Sequence, residues 1–123
     1  MDKVIFTALV EKAFSRLPAM FRERVDNVQL FVEDVPSPEQ VRSMQLSSRN
    51  ELLGLYEGVP LEHRGTWYGA TPTVPDRITL FQKNIERMCR SDDEVERKIQ
   101  EVLIHEIAHY FGMNDEEIRA AGY

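Results

Sequence analysis

Apolar positions along the chain fall into stretches at helical spacing and shorter runs that read as strands. Residues 2–16 repeat Val4, Ile5, Ala8, Leu9 and Ala13, with Lys12 on the same row, which predicts an amphipathic helix. Pro18 disfavours helix at the residue before it, and residues 19–25 have room for one short helical turn. Val28-Gln29-Leu30-Phe31-Val32 predicts a strand, closed by Asp34-Val35-Pro36-Ser37-Pro38. A short helix is expected from Pro38 to Leu46, a second strand from Leu52 to Tyr56 and a third from Arg77 to Gln82. From Glu57 to Asp76 the chain is dense in Gly, Pro and Thr, and a loop of this length in a compact domain is commonly functional. Within it Trp67 and Tyr68 read as anchors to the core or as the lining of a substrate groove. His63 reads as an exposed loop residue or as a donor to a reacting carbonyl.

The C-terminal third carries the strongest helical pattern. Ser91 is an N-cap with Glu94 three residues on, a capping box, and Asp92 and Asp93 suit the positive end of the helix dipole. Val95, Ile99, Val102 and Leu103 form the buried stripe, and Gly112 ends the run. Ile104, Ile107, Tyr110 and Phe111 make the last turns apolar on most sides. His105, Glu106 and His109 are therefore expected in a buried setting where they need partners.

Those three residues spell His105-Glu106-Ile107-Ala108-His109, the pattern H-E-x-x-H, and they use two of the chain's 3 histidines. A helix brings i and i+4 onto one face, so both imidazoles reach one metal ion, and the glutamate in the same turn is placed to take a proton from water. Gly112 follows His109 by three residues and can leave the helix in the left-handed conformation that glycine adopts cheaply. Asp115 comes three residues later. Two imidazoles and one carboxylate leave the fourth position of zinc open, as in a catalytic site. Asn114 also caps a final short helix closed by Glu117. Asp115 thus reads as ligand, as first-turn helix residue, or as both, with Glu116 and Glu117 as alternative carboxylates.

Composition narrows the function. A chain of 123 residues is read as a single domain spanning 1–123. A net charge of −6 with no basic run argues against a nucleic-acid partner. Cys89 is the only cysteine, so no disulfide forms within the chain, and it reads as a small buried residue in preference to a fourth metal ligand. Charges interrupt the N-terminal apolar residues and no run approaches membrane length, so a cytoplasmic protein with no membrane partner is expected. Oligomeric state has no signature here.

The segment from His105 to Asp115 resembles the zincin superfamily, and its closing aspartate is similar to the snapalysin type of metzincin. One departure stands: Met113 precedes Asp115, whereas the metzincin Met-turn follows its third ligand. A longer stretch resembles a family of short bacterial zincin-like proteins, through Leu52-Leu53-Gly54-Leu55-Tyr56-Glu57-Gly58-Val59-Pro60-Leu61, Arg64-Gly65, Pro75-Asp76-Arg77-Ile78-Thr79-Leu80-Phe81 and the metal motif. The resemblance implies an α+β, zincin-like fold, with a small mixed sheet of three or four strands packed against an N-terminal helix and the C-terminal metal-binding helix. It implies one Zn2+ ion at His105, His109 and Asp115, Glu106 as general base, and hydrolysis of a peptide or protein substrate lying along a sheet edge. Leu80-Phe81-Gln82 is the expected edge. Two other classes stand beside this zinc metallopeptidase: a non-catalytic binding module on a metallated or vestigial zincin scaffold, and a zinc hydrolase acting on something other than a peptide.

Overall fold

A computed structural model of the chain describes residues 1–23, 25, 27–58 and 75–123; His63, Trp67 and Tyr68 lie outside the described residues. Helix α1 spans Lys3–Ser15 and opens at Asp2, whose side chain accepts from the Val4 amide. Its buried row is Phe6, Val10 and Ala13, continued by Leu17. This corrects the face expected from Val4, Ile5 and Ala8, since Val4 is 78% and Ile5 54% exposed. The helix carries two apolar rows, and periodicity alone does not choose between them. Burying the row with Phe6 removes the larger apolar surface from water.

A short helix α2, Ala19–Arg22, buries Phe21 and leads into strand β1, Val28–Glu33. Helix α3, Pro38–Ser43, is closed by a reciprocal Ser37–Gln40 capping box. Strands β2, Gly54–Glu57, and β3, Asp76–Phe81, complete a three-stranded mixed sheet of order β1-β3-β2. Strand β1 runs parallel to β3, with Leu30 opposite Ile78, and β2 runs antiparallel, with Tyr56 opposite Ile78. The expected edge, Leu80-Phe81, is therefore the centre of the sheet. Ile78, Thr79, Leu80 and Phe81 are all at most 1% exposed, and a strand buried on both faces belongs in the middle. The edge beside the long C-terminal helix is β2.

Helix α4, Gln82–Arg87, starts directly from β3 and was not expected from the pattern. It buries Asn84, whose Nδ2 donates to the carbonyls of Arg49 and Leu52 at 2.8 and 2.7 Å, fixing the chain that enters β2. Helix α5, Asp92–Tyr110, lays Val95, Ile99, Leu103 and Ile107 against α1 and the sheet, where Phe6, Val10, Ile78 and Leu80 complete the core. Ser91 caps it as expected, accepting from the Glu94 amide at 3.2 Å. The return half of the box is displaced, because the Glu94 carboxylate accepts from the Arg90 amide at 2.8 Å instead of from Ser91. Helix α6, Asp115–Ala120, follows with the expected Asn114–Glu117 capping box.

Candidate functional site

The polar motif occupies the last two turns of α5. Gly112 takes φ +88°, its amide donates to the His109 carbonyl at 2.9 Å, and the Met113 amide donates to Ala108 at 3.0 Å. This pair of bonds is a Schellman ending, in which a side chain two residues past the C-cap packs back on the helix. Met113 does so against the core. That apolar role accounts for Met113 with no reference to a metzincin turn.

The reversal carries Asp115 back to the helix. Its Oδ1 lies 2.9 Å from His109 Nε2, and the contact with His109 holds the Asp115 carboxyl below the usual range. Glu117 is committed to the cap, its carboxylate accepting from the Asn114 amide at 3.2 Å. Of the three carboxylates open to choice in the sequence, Asp115 is the one in contact with an imidazole. His105 stands one turn earlier, its ring centre 6.0 Å from that of His109 and its plane at 81°. Among the described residues no three His, Cys, Asp or Glu side chains are grouped closely enough to hold a metal ion. Two of the expected ligands, His109 and Asp115, are thus joined, and His105 shares the helix face of His109. As a donor set, two imidazoles and a carboxylate fit zinc, and the His109–Asp115 contact brings two of those donors to one point.

Glu106 lines the same cleft as the two histidines, on its β2 side. Burial pushes its carboxyl above the usual range, opposed in part by His109 and by the backbone N–H of Tyr56, which donates to it. The bond follows from the register. Leu53 accepts from the Phe81 amide at 3.0 Å, so strand alternation turns the backbone groups of Gly54 and Tyr56 away from β3. A Cβ at Gly54 would stand 2.8 Å from Val102 Cγ1 and 3.2 Å from Glu106 Cγ, so glycine is what lets β2 come this near to α5. The Tyr56 ring stacks on Tyr110 at 4.0 Å, and its hydroxyl donates to the buried Asp76 at 2.7 Å.

Together these elements enclose a cleft of about 230 Å³ lined by Leu53, Lys98, Glu101, Val102, His105, Glu106 and His109. The setting is wetter than the sequence suggested. The His109 side chain is 46% exposed and Tyr110 40%, whereas Ile107 and Ala108 in the same turn are fully buried. A larger cleft, about 520 Å³ beside Glu33, Glu57 and Arg77, contains none of the motif residues. Cys89 is half-buried on the core, its thiol pushed up by burial and donating to the Ile85 carbonyl at 3.3 Å, which accords with the apolar reading.

The sequence profile of zincin-like metallopeptidases matches residues 25–123. The chain belongs to that family. A conserved hypothetical protein from Thermus thermophilus has a similar structure, with a TM-score of 0.55 at 22% identity over 89% of this chain and 94% of the other. That likeness shows the fold alone. No curated protein matches the chain. Membership in the zincin-like metallopeptidases accounts for a mixed sheet laid beside the motif helix. No helix among the described residues is long and apolar enough to cross a membrane. Tyr56, Gly54, Lys98 and Glu101 were missed as site residues. A glycine inside a strand pattern signals close backbone approach, and counting back by helical turns from His105 and Glu106 reaches Glu101 and Lys98.

Proposed function

We propose that the chain is a zinc-dependent peptidase of the cytoplasm in which His105, His109 and Asp115 hold one ion and Glu106 is the general base. The observation that carries this reading is the 2.9 Å contact between His109 and Asp115 across the Gly112 turn. Bound there, zinc would supply Lewis-acid polarisation of a carbonyl and an acidified water. Glu106 takes a proton from water and returns it to the leaving amine. A carboxyl raised by burial suits both halves of that task. Tyr56 N–H orients the carboxylate, while Gly54 turns its own backbone groups away from β3, on the side where an extended peptide can run beside β2.

A second reading, a binding module on this scaffold, is favoured by the modest cleft and by His105 standing outside the His109–Asp115 contact. Purified protein loaded with zinc and dialysed should retain about one ion per chain and cleave members of a peptide library. Cleavage should vanish in Glu106→Gln while the zinc stays. Metal well below one per chain overturns the peptidase, and full metal without cleavage selects the binding module.

A further inference from the structure

The cleft extends beyond the motif residues toward the N-terminus of α5, and that extension has its own chemistry. Helical spacing aligns Lys98, Val102 and Glu106 in one ridge and Glu101, His105 and His109 in the next. The furrow between them is closed on the strand side by Leu53. Rising 1.5 Å per residue, the helix places Glu101 about 6 Å along the axis from His105, of the order that a lysine or arginine stem spans.

We infer that this part of the cleft is a side-chain subsite for a lysine or arginine flanking the bond that is cut; the inference rests on the peptidase reading of the same site. Leu53 and Val102 supply apolar surface for the aliphatic stem. Glu101 supplies the counter-charge. Its side chain is 54% exposed and meets Lys98 through one oxygen, Oε2, at 3.3 Å, a long contact that an incoming cation can share. The Lys98 side chain is 22% exposed, less than half the exposure of Glu101, so the acidic partner of the pair is the one presented to an incoming group. Along the helix from His105 toward its N-terminus, an acidic side chain would meet Glu101 before Lys98. The net charge of −6 likewise draws cationic chains toward the molecule.

The test reads a preference ratio, in turnover and in binding. Zinc-loaded wild type is given peptides that differ only in carrying Lys, Ala or Glu next to the cleavable bond. The same peptides, fluorescently labelled, are titrated into Glu106→Gln protein. The basic peptide should be favoured over the alanine peptide by about fivefold in kcat/KM and in Kd, as for an exposed ion pair. Glu101→Gln should abolish the preference, and Glu101→Lys should turn it toward the glutamate peptide, a swing of about twentyfold in the ratio. Both changes fall on an exposed helix position, and circular dichroism checks that they fold. Turnover with no charge preference overturns the subsite and keeps the peptidase. A Glu101-dependent binding preference without turnover keeps the subsite and overturns the peptidase. Neither turnover nor binding of any peptide overturns both.

Discussion

Val95, Ile99, Leu103 and Ile107 run down one side of α5 at no more than 4% exposure, while Lys98, Glu101, His105 and His109 run down another with charged and polar groups open to the cleft. The first side answers to volume: any well-fitting apolar set would pack on α1 and the sheet. The second contributes little burial, and its residue types follow from chemistry. Stability and metal binding should therefore separate along a single helix.

The most direct way to break that separation is to cut both sides. Leu103→Ala should cost about 2–5 kcal/mol in urea unfolding of the metal-free protein. His109→Ala should stay within about 0.5 kcal/mol. Zinc affinity should show the reverse, falling by about 100-fold or more in His109→Ala and holding in Leu103→Ala. Comparable unfolding costs in the two variants would refute the division.

Glu106 lies between the sides and should show both behaviours. Glu106→Gln is expected to lower peptide turnover by about 10² or more while zinc is retained. It should also affect the metal-free fold with a defined sign. Burial raises the Glu106 carboxyl, so the stability this group contributes is present below its unfolded value and is lost as pH rises through the folded one. The glutamine variant should thus melt above wild type at pH 7.5, and the gap should close near pH 4. A gap that widened in acid would count against the buried carboxyl.

The contact between β2 and α5 sharpens the comparison at a smaller scale. Gly54→Ala drives a methyl group against Val102 and Leu80, at 2.8 and 3.1 Å before relaxation, and should cost about 1–3 kcal/mol with a further loss of turnover. A variant as stable and as active as wild type would show that β2 does not position Glu106. Tyr56→Phe removes the bond to Asp76 and keeps the ring on Tyr110, so about 1 kcal/mol is expected from thermal melts.

Much of this architecture was legible because local rules and the fold agree. Ser91, Gly112 and Asn114 each end or begin a helix where their side chain or backbone freedom predicts. The His109–Asp115 contact follows from those local choices, since only a tight reversal separates the two. Legibility failed where the answer depended on a distant partner. Which row of α1 is buried depends on α5. Which strand lies at the edge depends on three segments meeting, although the two-sided burial of β3 had a trace in its unbroken Ile78 to Phe81 run. Tyr56 enters the site through a backbone amide, and a backbone amide has no sequence signature.

The Gly112 reversal has a consequence for how the molecule comes apart. His105, His109 and Asp115 fall within 11 residues of one another, so bringing them together costs little loop-closure entropy, whereas Glu106 meets Tyr56 across about 50 positions of chain. Local contacts of the first kind persist in a loosened chain, and non-local pairings of the second kind are lost first. As urea rises, detachment of the edge strand should end turnover while the helix–turn–helix still holds its ion. The two titrations, one of activity and one of bound zinc, should therefore have separate midpoints, with activity failing at the lower concentration.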